Sequence, residues 1–210
     1  MLAYGSSDVG RQRSNNEDSF LVHPTRPLWI VADGIGGNPQ GEIASALCVE
    51  AAKEAANGPF AGQALLGASV ALAIKKITAK PRHPDGPMGS TFVGATVEGN
   101  RLIVGHIGDS RAYQLTPDRL LHQLTDDHSL GGMLTRWVGP NVEDTPQISV
   151  SRAEGRLMLC SDGISNLVDD DTIRWILARA RDPGAACELL IDRALDEGGN
   201  DNATCIVVFF

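Results

Sequence analysis

Apolar and polar positions along the chain follow two rhythms, one of short β-prone runs and one of helical repeats. Residues 1–33 read as strands, with Ser19-Phe-Leu-Val-His23 and Leu28-Trp-Ile-Val-Ala32 on either side of a Pro-Thr-Arg-Pro turn. From Gly41 to Asn57 the spacing becomes helical, since Ile43, Ala44, Leu47, Cys48, Ala51 and Ala55 share a face and Gly58-Pro59 stops the run. A second helix is predicted from about Gln63 to Lys80, with Leu65, Leu66, Val70, Ile74 and Ile77 inward, and Pro81 to Gly89 reads as loop. Strands return at Thr91–Glu98, Arg101–Ile107, Arg111–Leu115 and Leu120–Leu124, the first pair joined by a tight Gly99-Asn100 hairpin. Ser129 to Pro146 has little periodicity and reads as loop or short helix. Arg156–Cys160 is a buried strand. Asp170 or Asp171 is expected to cap a helix over Thr172–Arg181, and Pro183 or Gly184 to open another that runs to about Asp196. Ala203–Phe210 then forms a final strand.

Helices set between and after strands suggest an α+β fold in which helices cover both faces of an antiparallel-rich sheet or sandwich. No low-complexity linker or solenoid-length repeat divides the 210 residues, so one domain over 1–210 is expected. The longest apolar run, Cys205–Phe210, is strand-sized, far short of the roughly 18 residues a membrane helix needs. Met1 leads directly into polar Gly5-Ser-Ser-Asp8 without a secretory signal, so the expectation is a cytoplasmic protein that does not engage membranes. A net charge of −8 argues against nucleic acid as a partner and is better explained if some carboxylates bind cations. Cys48, Cys160, Cys187 and Cys205 lie far apart in apolar segments and read as reduced core residues.

The candidate chemistry lies in aspartates at strand ends. Trp29-Ile-Val-Ala-Asp33-Gly34-Ile35 is echoed by Leu157-Met-Leu-Cys-Ser-Asp162-Gly163-Ile164. Asp109 closes another strand, Asp201 opens one and Glu17-Asp18 starts one. A lone Asp-Gly is usually a turn, but strand ends in a packed sheet converge, and crowded carboxylates must take up protons or bind cations. Oxygen-only ligands favour hard ions, Mg²⁺ or Mn²⁺ ahead of Ca²⁺. An EF-hand does not fit, because the run from Asp169 has Arg174 and Ala180 where Gly and Glu are needed, and Pro39 breaks a dinucleotide fingerprint after Gly34. Two such ions sharing a carboxylate are a standard device for phosphate-ester hydrolysis. Asp33 suits the bridge, Gly34 can bring its carbonyl to the same ion, and Arg13 would hold the phosphate through its planar fork.

Arg13-x-x-Asn16-Glu17-Asp18, Asp33-Gly34-x-Gly36-Gly37, Gly89-Ser90-Thr91, Gly108-Asp109-Ser110-Arg111, Asp126-Asp127-His128-Ser129, Leu159-Cys-Ser-Asp162-Gly163 and Gly199-Asn-Asp201-Asn202 occur in that order. Together they resemble the motifs of the bacterial metal-dependent PP2C (PPM) Ser/Thr phosphatases, from about Asp8 to Phe210. The resemblance implies an αββα sandwich, two antiparallel sheets flanked by helix pairs, with two or three Mn²⁺ or Mg²⁺ ions at one edge. It also implies hydrolysis of phosphoserine and phosphothreonine in proteins, the products of a Ser/Thr kinase, by a monomeric enzyme using metal-activated water.

By the same resemblance Asp33 bridges the metals and Gly34 gives its carbonyl to one, while Asp162 and Asp201 ligate the other. Glu17 and Asp18 bind waters of the cluster, Asp109 with Asp162 matches a third-metal site, and Arg13 matches the phosphate-binding arginine. Two departures stand out. Ile35 occupies the place where eukaryotic members often carry a histidine as proposed general acid. Only Leu130-Gly-Gly-Met133 separates Ser129 from Leu134, where the family usually has a longer flap, so an open site is expected. Alternatives are an inactive regulatory binding module and a hydrolase of small phosphomonoesters. His106 and His128 are read as hydrogen-bonders, Arg111 as the partner of an acid, and Ser90 and Thr91 as non-nucleophilic.

Overall fold

Residues two apart on a strand share a face, and in the central strands both faces are apolar. Leu28, Ile30 and Ala32 join one buried cluster while Trp29 and Val31 between them join another. Met158 and Cys160 likewise part from Leu157 and Leu159, and Cys205 and Val207 from Ile206 and Val208. Three stacked cores result, which requires two sheets face to face with helices on both outer sides.

The structure, a computed structural model, describes residues 1–35, 40–81, 86, 88–140 and 145–210. Its strands in chain order are β1 (Leu2–Asp8), β2 (Asp18–Val22), β3 (Leu28–Asp33), β4 (Phe92–Glu98), β5 (Arg101–Ile107), β6 (Arg111–Leu115), β7 (Leu121–Gln123), β8 (Ser129–Leu130), β9 (Met133–Leu134), β10 (Gln147–Arg152), β11 (Arg156–Cys160) and β12 (Ala203–Phe209). The helices are α1 (Gly41–Ala56), α2 (Gly62–Thr78), α3 (Asp162–Ser165), α4 (Asp170–Arg179) and α5 (Pro183–Asp196). One five-stranded sheet runs β1-β12-β11-β6-β7 and the other β10-β5-β4-β3-β2, with every pairing antiparallel. Helices α1 and α2 pack on each other and on the second sheet, and α3, α4 and α5 cover the first. This is the αββα sandwich.

Trp29, Val104, Leu159 and Ile206 meet between the sheets, and removing a core aromatic such as Trp29 costs about 3–5 kcal/mol. All four cysteines are buried and free.

Two readings are corrected and two elements are added. The Ser129–Pro146 segment, expected as loop or short helix, contains the β8–β9 hairpin, with residues 141–144 outside the described residues. Gly131 (φ 59°) and Gly132 (φ 79°) both take left-handed angles, as a two-residue hairpin turn demands. The α4 cap is Asp169, whose carboxylate accepts from the Thr172 amide at 2.9 Å, so Asp170 and Asp171 fall inside the first turn. Strand β10 and the one-turn helix α3 were not anticipated.

Candidate active site

Register brings the acids together. Asp18 opens β2 directly opposite Asp33 at the end of β3. The turn after β3 is held by backbone bonds, Gly34 N–H to the Glu17 carbonyl at 3.1 Å and Thr91 N–H to the Asp33 carbonyl at 2.8 Å. Ser90 Oγ donates to the same carbonyl at 2.9 Å, and Thr91 Oγ1 accepts from the Asp33 amide at 2.9 Å. Ser90 and Thr91 therefore brace Asp33, in keeping with their reading as non-nucleophiles. A Cβ at Gly34 would lie 2.2 Å from the Gly41 carbonyl oxygen, so the start of α1 packs on this turn only because the position is glycine. Gly36 and Gly37 lie outside the described residues.

From the other sheet, Asp162 begins α3 just past β11, and Asp201 precedes β12. Asn202 ties the two sheets together. Its Oδ1 accepts from the Glu17 amide at 2.8 Å, and its Nδ2 donates to the carbonyls of Val9 and Asn15. Arg13 donates to Asp201 Oδ2 at 2.8 Å.

A cavity of about 400 Å³ is lined by Arg13, Glu17, Asp33, Gly34, Asp109, Asp162 and Asp201, together with Ile35, Thr91, Gly132, Met133, Leu134, Trp137 and Asn202. Of the eight residues expected at the site, seven line this cavity. Asp18 sits behind them, buried, with Oδ2 accepting from Ser161 Oγ at 2.7 Å. A larger groove, about 1020 Å³, runs over α4 and α5 and is lined by none of these residues.

The electrostatics are those of crowded like charges. Burial pushes Asp18 up to about 7 against hydrogen bonds from Thr204 and Ser161, and the charges of Asp162 and Asp201 add to the rise. Asp33 is raised well above the carboxylate range by desolvation and then by Asp18, Asp162, Asp201 and Asp109. Asp162 is raised to about 6, by burial first and then by Asp109 and Asp201. Burial raises Asp109, with Asp127 adding and Arg111 opposing. Glu17 rises through burial and the neighbouring Glu42, against Arg13.

Asp18 Oδ1 and Glu42 Oε2 are buried without a hydrogen-bond partner. Buried acceptors left unpaired beside several carboxylates are a donor set in want of cations. Among the described residues, no group of three His, Cys, Asp or Glu side chains could hold an ion by itself. The oxygen-only donors of the set fit hard ions such as Mg²⁺ or Mn²⁺.

The supporting residues were less legible than the acids. Ser161, Glu42, Met133, Leu134 and Trp137 were not singled out as site residues, and Asn202 only as part of a motif. His106 and His128 stack at 4.6 Å, with His106 Nε2 bonded to the Asp126 carbonyl and His128 Nδ1 accepting from the Gly108 amide. Arg111 forks onto Asp127, with Nε and Nη2 both bonded to the carboxylate.

This fold with this site defines a class. The family model for protein phosphatase 2C matches residues 6–190, and the chain belongs to that family. It is 35% identical over 232 aligned positions to the serine/threonine protein phosphatase PstP of Mycobacterium tuberculosis, covering 99% of this chain and 45% of PstP. The chain thus spans about half the length of that relative. It is 30% identical to the serine/threonine phosphatase stp of Listeria monocytogenes, covering 99% of this chain and 95% of stp. The crystal structure of the PstP catalytic domain in complex with two manganese ions superposes with a TM-score of 0.87 at 34% identity, over 98% of this chain and 96% of that one. The PstP alignment is longer than this chain's 210 residues, so the relative carries insertions that this chain lacks.

Proposed function

We propose that this chain hydrolyses phosphoserine and phosphothreonine esters in proteins with Mn²⁺ or Mg²⁺ held by its strand-end acids. The observation that carries the reading is the convergence of Glu17, Asp33, Asp109, Asp162 and Asp201 on one cavity, with Arg13 the one cation lining it among the described residues. The manganese complex of the PstP catalytic domain supports the choice of ion.

Asp33, the Gly34 carbonyl, Asp162 and Asp201 would hold the ions, Asp109 would join Asp162 for a third, and Glu17 and Asp18 would take hydrogen bonds from bound waters. Such ions, when bound, lower the pKa of water and offset charge on phosphoryl oxygens. The chain's own part is positioning. Ser90 and Thr91 hold the Asp33 backbone in place, so its carboxylate faces the cavity without reorganisation. Ser161 directs Asp18, and Asp201 holds the Arg13 guanidinium at the cavity, where its remaining N–H groups can clasp a phosphoryl group. Ile35 lines the cavity with no proton to give, so the leaving-group proton is not supplied from that position.

Phosphate release from a phosphothreonine peptide with Mn²⁺ tests the reading. Release is expected with the ion and should vanish in EDTA and in Asp33→Asn. Robust turnover in EDTA would overturn it, and manganese binding without turnover on any phosphoester would leave the inactive binding module as the correct description.

A further inference from the structure

The cavity is lined by two chemistries, and the mechanism uses only one. Besides the acids and Arg13 it is bounded by Ile35, Met133, Leu134 and Trp137. Trp137 has a prepared seat: a Cβ at Gly89 would come within 2.6 Å of its Cδ1, and one at Gly139 within 2.8 Å, so the indole occupies room that two glycines leave. Ser90 and Val138 exchange backbone bonds at 2.9 and 2.8 Å, and Ser90 also bonds the Asp33 carbonyl, which ties the tryptophan segment to the Asp33 turn. At the other end, Thr135 N–H bonds the His128 carbonyl at 2.8 Å and Ser129 pairs with Leu134, so the hairpin is anchored at its base. At its tip Met133 is 74% exposed and Leu130 beside it 76%.

We infer that Met133, Leu134 and Trp137 form an apolar shelf that binds an aliphatic side chain next to the phosphorylated residue of a peptide substrate. The inference rests on the phosphatase reading and specifies the substrate class of that site. A phosphoryl group belongs with Arg13, because the thioether and leucine surfaces offer a dianion neither charge nor hydrogen-bond donors, and the indole offers only a single neutral N–H. The cavity's roughly 400 Å³ lies in the range of clefts that enclose whole small ligands, so it has room for more than the phosphoryl group. Adjacent exposed apolar side chains at the rim of a polar site mark a contact surface, and the anchored hairpin presents this one preformed.

The test uses Mn²⁺-loaded protein and phosphothreonine peptides identical except for leucine or serine immediately before or immediately after the phosphorylated residue. Leucine should be preferred in kcat/KM at one of these positions by about tenfold, the lower end of what an apolar pocket discriminates. The difference should appear in KM and not in kcat. Trp137→Ala and Met133→Thr should each bring the preference close to parity, the second at an exposed position that does not threaten folding. Equal kcat/KM for leucine and serine peptides at both positions, or a preference that survives in both variants, would overturn the inference. Failure of every peptide to release phosphate would instead bring down the phosphatase reading, and the shelf with it.

Discussion

The two Asp-Gly strand ends look alike in sequence and come to different ends in the fold. After β3, Asp33-Gly34 stays extended and closes a bridge to Ser90. After β11, Ser161 turns the chain so that Asp162-Gly163 begins α3. Both glycines are required by a backbone oxygen, that of Gly41 at 2.2 Å from a Cβ on Gly34 and that of Asn202 at 2.0 Å from one on Gly163. The aspartates differ in company. Asp33 faces Asp18 across a strand pair and also feels Asp109, Asp162 and Asp201, whereas Asp162 accepts a hydrogen bond from Asn166 at 3.1 Å. One local motif thus delivers a carboxylate to the cavity from each sheet, and its neighbours decide how strained that carboxylate is.

The sharpest way to break the comparison is to remove each acid. Asp33→Asn should lower phosphate release by well over 100-fold, beyond the 10–100-fold typical of residues that only orient a metal ligand. It should also abolish stabilisation by Mn²⁺ in a thermal melt. Asp162→Asn should lose activity comparably yet keep part of the Mn²⁺-induced rise in Tm. Equal loss of that rise in both variants would mean the two acids are interchangeable.

Next come the glycines. Gly34→Ala and Gly163→Ala should each cost about 3 kcal/mol in urea unfolding, since neither clash is with a movable side chain. A near-neutral effect at one of them would show that its strand end can shift.

The third test is pH. Asp33 and Asp162 bind protons more tightly in the folded chain than in the unfolded one, where aspartate titrates at about 4. In EDTA the folded state therefore holds more protons, and stability should fall as pH rises from about 4 towards neutrality. Asp162→Asn should remove the part of that fall that lies between about 4 and its folded value of about 6. Saturating Mn²⁺ should raise Tm at neutral pH and flatten the profile. A flat profile in EDTA would mean the acids are not in conflict.

The smallest effect belongs to Asn166→Ala, which deletes one exposed hydrogen bond to Asp162. Activity should drop less than about tenfold and stability by about 1 kcal/mol at most. A larger loss would assign Asn166 a direct role in the cavity.

The fold was readable where pattern and length agreed. Arg156–Cys160 and Pro183–Asp196 emerge with the boundaries that periodicity and capping suggest. Strand β10 is hard to read from sequence although Ile148 and Val150 alternate with Gln147, Ser149 and Ser151, because it follows an unpatterned segment and Val150 is half exposed at a sheet edge. Gly131-Gly132 between Leu130 and Met133 carried a hairpin signal too short to stand out, and α3 is a single turn with no period to detect. The acids of the site are legible because the apolar-run-then-Asp-Gly pattern occurs twice with matched flanks and acids recur at three other strand ends. Their braces are not. The bonds by which Thr91, Ser161 and Asn202 hold Asp33, Asp18 and Glu17 span 58, 143 and 185 residues of sequence, which no local pattern encodes.

The tryptophan seat between Gly89 and Gly139 also has an optical consequence. The chain has three tryptophans, at positions 29, 137 and 175. Trp29 is 3% exposed between the sheets and Trp175 is 52% exposed on α4, so their emission should sit at the blue and red limits and stay there when substrate binds. Trp137 alone lines the cavity. A change in intrinsic fluorescence on adding peptide can therefore be assigned to one indole, and occupancy of the cleft can be followed without a label.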